Sequence, residues 1–202
     1  PLMAFRARLA AGEEVPFDQI TGARDGAAEA FLTLADALNR DEGSARVALV
    51  HARLAGAIRP DLVEADLVAA DILEDQQQYQ LATEALAGVP KDSPWYVTAE
   101  IRRANTQRSA GDADAGIATL TALAKDHGDL VEVDSALGDA LRMQEKFPEA
   151  VAAYSEAIAQ IGTPKPAHWI LFYTRGISNE RAGDWPAAEA DFRAALKLEP
   201  DQ

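Results

Sequence analysis

Apolar residues recur at intervals of three and four along most of the chain, as in AAEADFRAALKL at 187–198. This spacing predicts amphipathic α-helices, because residues three and four apart lie on the same face of a helix. Turn-forming sequences such as EGSA, AGDA and AGDW separate neighbouring apolar segments. The pattern therefore predicts an all-α chain of short helices that follow one another through tight turns.

The helix-turn-helix segments repeat at a regular interval. Windows set on the turns begin at Glu29, Val63, Val97, Val131 and Trp169. The first three steps from one window to the next are 34 residues long. The last step is longer, and its extra residues lie in the loop IGTPKPAHW. The twentieth position of every window is alanine or glycine, and the thirty-second is proline or glycine. This periodicity predicts one structural unit repeated about five times.

The repeat resembles the tetratricopeptide repeat (TPR), a 34-residue pair of helices with small residues, an aromatic residue and a closing proline at set positions. The match is strongest in the last two windows, at Leu137, Gly138, Ala150, Tyr154 and Ala157, then at Gly176, Gly183, Ala188, Phe192, Ala195 and Pro200. Leu86 and Leu120 replace the aromatic residue in windows two and three, and the first window departs further, with Asp36 and Ala52. The resemblance implies an all-α, right-handed superhelical solenoid of antiparallel helix-turn-helix hairpins.

Small and aromatic residues of the repeat are predicted to pack the hairpins. Small residues let two helix backbones approach closely, and the larger residue four positions on fills the space beside them. The predicted packing residues are Gly138, Ala150, Tyr154, Gly176, Ala188, Phe192 and Ala195.

The domain organisation follows from the windows. The solenoid is expected to cover 29–202, in the windows 29–62, 63–96, 97–130, 131–168 and 169–202. Residues 1–28 are expected to hold the end of a truncated preceding repeat, PLMAFRARLAAG, and an extended connector, EEVPFDQITGARDG. The chain is accordingly expected to be a piece of a longer protein.

The composition narrows the class of partner. The 202 residues include 33 acidic and 19 basic side chains, which give a net charge of −14. Proteins bind a phosphate backbone through basic patches, so this charge argues against a nucleic-acid partner. No apolar run approaches the roughly 18 residues of a membrane-spanning helix. Cysteine is absent, which excludes disulfides and cysteine-bound metals.

No sequence motif points to catalysis, a metal or a cofactor. The three histidines, His51, His127 and His168, stand far apart, so a structural role is expected for each. The segment GDADAG begins like a calcium-binding loop, but Ala122 stands where the distal glutamate is needed. We therefore expect a non-catalytic protein without cofactors.

Partner binding is expected on the concave face that first helices form in TPR proteins, a position carried over from the family. The candidate binding residues are Asp71, Glu74, Asp75, Arg102, Asn105, Arg108, Arg142 and Tyr173. Residues 60–90 contain seven acidic and no basic side chains. This acidic stretch has two interpretations: a solvated face that keeps the protein soluble, or a docking site for a basic segment of a partner.

Three hypotheses for function follow. The first is a scaffold that binds a protein or peptide segment in the groove. The second is a helper domain of a larger enzyme whose catalytic part is absent from this chain. The third is self-association into a homo-oligomer through the last repeat, because the apolar side of AAEADFRAALKL has no following helix to cover it.

A further resemblance concerns the segment GARDGAAEAFLTLADAL at 22–38. It is similar to a segment of bacterial TPR lipoproteins that act as adaptors of C-terminal processing proteases. The resemblance implies an exported, periplasmic protein with a protease partner, and an unrelated cytoplasmic adaptor is the alternative.

Overall fold

The computed structural model describes residues 10–12, 20–41 and 43–200. Helices and turns make up this described part, and no strand occurs in it. The chain divides into two compact units, Pro1–Ala99 and Glu100–Gln202. Each unit is a stack of helix hairpins, which confirms the predicted all-α helical repeat.

In the described part of unit 1, four successive helices pack in chain order: α1 (Ala23–Asn39), α2 (Ala45–Ile58), α3 (Val63–Asp75) and α4 (Tyr79–Ala87). Where α1, α2 and α3 cross, the buried residues are mostly alanines, namely Ala28, Ala35, Ala48, Ala52, Ala55, Ala65 and Ala69. Alanine at a crossing lets the backbones approach closely, and Ile72 and Leu86 fill the remaining core.

Helix α5 (Tyr96–Ser109) crosses the boundary between the units, and Ala99 at its start joins the core of unit 1. Unit 2 continues with α6 (Ala113–His127), α7 (Val131–Met143), α8 (Phe147–Gln160), a 3₁₀ turn (Pro166–His168), α9 (Trp169–Ala182) and α10 (Trp185–Leu198). From α6 onward each helix packs against the next along the chain.

The hairpin turns of the described part share one backbone feature, a residue with positive φ. These residues are Gly43, Gln77, Gly111, Glu145 and Gly183. The left-handed conformation reverses the chain after the first helix of each hairpin. Asp112 and Asp184 then cap the next helix by accepting hydrogen bonds from Ala115 N and Ala187 N, at 3.0 and 3.1 Å.

Helix α1 begins earlier than the repeat pattern predicts. It begins at Ala23, whereas the first window was set to begin at Glu29 and residues up to 28 were expected to form a connector. The oxygen Oδ2 of Asp25 accepts hydrogen bonds from the backbone N and the hydroxyl of Thr21, which holds the start of the helix in place. These hydrogen bonds lower the pKa of Asp25. Residues 1–9 and 13–19, which carry most of the expected preceding repeat and connector, lie outside the described residues.

Two properties of the described residues bear on membrane and metal binding. None of the helices there combines the length and apolar character that crossing a membrane requires. Likewise, the described His, Asp and Glu side chains form no group of three or more that could hold a metal ion.

Candidate partner-binding surfaces

The hairpin of α7 and α8 is packed around Gly138 and Tyr154. A Cβ atom at Gly138 would lie 2.7 Å from the ring carbons Cδ1 and Cε1 of Tyr154. Tyr154 is fully buried, and Leu137, Leu141 and Ala150 belong to the same core. Gly176 and Phe192 repeat this relationship in α9 and α10, where the corresponding distance is 2.8 Å.

The hydroxyl of the buried Tyr154 connects this packing to the surface. It donates a hydrogen bond to Asp139 Oδ1 at 2.7 Å and accepts one from Arg142 Nε at 3.2 Å. Arg142 also lies 3.4 Å from Asp139 Oδ1. Burial and the hydrogen bond to Asp139 raise the pKa of Tyr154 to about 12. The hydrogen bond to Tyr154 raises the pKa of Arg142. The predicted binding residue Arg142 is therefore held in position by its own hairpin.

Helices α7 and α9 are neighbouring first helices of unit 2, and they touch. The TPR resemblance places one side of each first helix in the predicted groove. The side chains at those positions on α7 and α9 are Asp139, Arg142, Met143, Ile170, Tyr173, Thr174 and Ile177, which together we call the first-helix face. Met143 is 51% exposed and Ile170 is 44% exposed. The first-helix face thus combines exposed apolar side chains with a positioned guanidinium.

Tyr173 lies at a pocket between the two helices of the last hairpin. Its ring centroid is 5.7 Å from that of Trp169 and 5.9 Å from that of Phe192. The pocket has a volume of about 350 Å³, and its lining residues are Trp169, Tyr173, Phe192, Ala195, Leu196 and Glu199. Tyr173 therefore belongs to a surface that also involves a second helix, α10.

The three candidate residues on α5 occupy successive turns and differ in exposure. Asn105 is exposed, whereas Arg102 and Arg108 are half-buried. The Nε atom of Arg108 is buried without a hydrogen-bond partner among the described residues. Their role in capturing a peptide stays a prediction.

The acidic stretch of 60–90 surrounds α3 in unit 1. Asp71 and Asp75 are exposed and Glu74 is half-buried. Two acidic side chains of α3 are engaged within the unit: Glu64 Oε1 accepts a hydrogen bond from Trp95 Nε1 at 3.1 Å, and Asp66 lies 3.9 Å from Arg53. Burial raises the pKa of Asp66, while Arg53 acts in the opposite direction. The acidic stretch is therefore only partly a solvated surface.

Comparisons with known proteins identify the fold. No protein-family model matches the chain, and no curated protein does. The structure of MamA from Desulfovibrio magneticus RS-1, residue 41 to its end, matches with a TM-score of 0.68 at 19% identity, covering 91% of this chain and 99% of that one. YrrB, a TPR protein with an unusual peptide-binding site, matches with a TM-score of 0.63 at 15% identity, covering 91% and 95%. The chain has the tetratricopeptide-repeat fold.

At these identities the likeness concerns the TPR fold alone. The fold comparison accounts for the helix pairs, for the small residues at their crossings and for the hairpin turns. The choice of partner depends on surface side chains, which distant structures of one fold need not share.

Sequence reasoning missed a polar network inside the last two TPR-like hairpins. The guanidinium of Arg175 donates two hydrogen bonds to the buried carboxylate of Asp191, at 2.9 and 2.7 Å, and one to Ser155 Oγ at 3.1 Å. Asn179 donates to the same carboxylate at 3.0 Å. The signal in the sequence was a charged residue, Asp191, next to the packing residue Phe192 on the apolar side of α10.

Proposed function

We propose that this TPR protein is a non-catalytic interaction scaffold that holds a protein or peptide segment on the first-helix face of unit 2. The observation that carries the proposal is the pairing of exposed Met143 with Arg142, whose guanidinium is fixed by Tyr154 and Asp139. Binding sites commonly combine apolar contacts with a few precisely placed polar or charged groups that fix the orientation of the ligand.

The physical advantage of such a surface is preorganisation. Arg142 does not have to be ordered when the partner arrives, because buried Tyr154 already orients it. Binding therefore loses less side-chain entropy than it would at a flexible arginine. Methionine adapts its shape to different apolar groups, and a guanidinium donates to carboxylate or carbonyl oxygens of a partner.

The acidic face of α3, with Asp71, Glu74 and Asp75, is proposed as a second contact for a basic partner segment. Its support is the absence of basic side chains from 60–90. The protease partner that the resemblance at 22–38 implies stays a prediction.

Site-specific photo-crosslinking tests the scaffold proposal. A benzoyl-phenylalanine in place of Met143 is compared with one in place of Ala152, which is exposed on α8 and lies away from the first-helix face. In cells that produce the full-length protein, we expect a crosslinked partner at position 143 and none at position 152. Adding R142A should reduce the yield of that product. Equal crosslinking at both positions, or none at 143, would contradict the proposal.

A further inference from the structure

The pocket of the last hairpin leaves a large apolar side chain open to solvent. Leu196 is 50% exposed although it shares the pocket with the rings of Trp169, Tyr173 and Phe192. Uncovered apolar surface of this kind favours association with another apolar surface.

A second apolar surface lies on α2. Val47, Val50 and Leu54 are 51%, 55% and 41% exposed. They stand three and four residues apart, so they form one stripe along the helix. The opposite side of α2 is buried through Ala48, Ala52 and Ala55, so the stripe points away from the core of its own unit. We call these three residues the α2 stripe.

The charges beside the two apolar surfaces are opposite. Helix α2 contains Arg46 and Arg53 and no acidic residue, in a chain whose net charge is −14. Arg46 is exposed at the start of α2. The lining of the pocket contains the carboxylate of Glu199 and no basic side chain. Opposite charges beside matching apolar surfaces favour one orientation of docking over others.

We propose that the pocket binds the α2 stripe of a second copy of this chain. Val50 and Leu54 of one molecule fill the space among the aromatic rings of the other, and Arg46 faces Glu199. The two surfaces differ, so the contact is heterologous, and copies join head to tail. Tyr173 belongs both to this pocket and to the first-helix face, whereas Leu196 and Val50 lie outside that face. Substitutions at Leu196 and Val50 therefore test this contact without altering Met143 or Arg142.

Sedimentation equilibrium of the purified chain tests the contact. We expect the average mass of the wild type to rise with concentration. A charge buried in an apolar contact costs enough to weaken association about tenfold or more, so L196E and V50E should each reduce the rise. The matched control is L81E, because Leu81 is similarly exposed, at 45%, and lies outside both surfaces. Circular dichroism and thermal unfolding establish that every variant is folded.

Mixing the variants distinguishes a head-to-tail contact from other arrangements. L196E retains the α2 stripe and V50E retains the pocket, so an equimolar mixture should form one-to-one dimers and nothing larger. Likewise, E199R and R46E should each associate weakly alone and regain association when mixed, since both contacts then pair opposite charges. A wild type that stays monomeric, or a mixture of L196E and V50E that stays monomeric, would overturn the proposal. So would an L81E effect as large as that of V50E.

Discussion

A Cβ atom on Gly138 would lie 2.7 Å from two carbons of the Tyr154 ring. Carbon atoms in contact are normally 3.5 Å apart or more, so α7 and α8 can pack this closely only with glycine at this position. The same hydroxyl-bearing ring then orients Arg142 on the first-helix face. One glycine thus connects the packing of a hairpin to the geometry of its surface.

Replacing Gly138 with alanine should destabilise the protein. The added methyl group meets the rigid, buried ring of Tyr154, and overpacking of this kind costs about 1–3 kcal/mol. Chemical denaturation measures the change. The control is G56A, because a Cβ at Gly56 meets only Ala65 at an ordinary 3.6 Å. Since alanine favours a helix by about 1 kcal/mol over glycine, G56A should stabilise. Equal effects of both substitutions would contradict this account.

The turn between α7 and α8 should be improved by glycine at Glu145. Its φ is 56°, a conformation that costs a residue with a side chain about 1–2 kcal/mol. E145G should therefore raise the free energy of unfolding by about 1 kcal/mol. In the control E149G the glycine falls in the first turn of α8 instead, and we expect destabilisation. A loss of stability in E145G would show that the side chain makes a compensating contact.

The stability of the protein should fall at high pH through Tyr154. Its pKa is raised to about 12 in the folded protein and is about 10 when unfolded. The neutral phenol is therefore favoured by folding, so its contribution is complete below pH 10 and is lost as the pH rises toward 12. Y154F should cost about 1 kcal/mol at neutral pH, since it removes the hydrogen bonds. Between about pH 10 and 12, the free energy of unfolding of Y154F should change less than that of the wild type. Urea denaturation at several pH values measures both.

Removing the carboxylate of Asp191 should be strongly destabilising. Arg175 and Asn179 would lose their shared acceptor in a mostly buried site, and breaking a buried ion pair costs about 3–5 kcal/mol. D191A and R175M are compared with the double variant by thermal and chemical denaturation. The double variant should cost much less than the sum of the two, because no charge is left unpaired. Additive losses would show that the two side chains act separately.

Reversing two charges on the acidic face should weaken binding of a basic partner. With D71K and D75K together, capture of the native partner should fall at low salt and differ less from the wild type at high salt, where charges are screened. A pull-down at two ionic strengths measures this, with D129K as the control because Asp129 is exposed and lies in unit 2. Unchanged capture would leave α3 as a solvated face.

The chain by itself determined the helical repeat. Apolar spacing of three and four, small residues at fixed positions and turns at a regular interval are local features, and each acts within one hairpin or its neighbour. The helices that begin at Val63, Val131 and Trp169 start where windows were set. The start at Ala23 was missed because the hydrogen bonds of Thr21 with Asp25 leave no periodic signal.

Only the tertiary structure determined which side chains form the candidate binding surfaces. Three features depend on contacts between residues of different helices. They are the hydrogen bond from Arg142 to Tyr154, the ion pair of Arg175 with Asp191 and the pocket around Leu196. Such contacts depend on how two helices cross, and a shift of a few ångströms would separate the atoms without altering the periodicity. Sequence patterns record which residues face inward, whereas packing decides which side chains meet and which apolar side chains stay exposed.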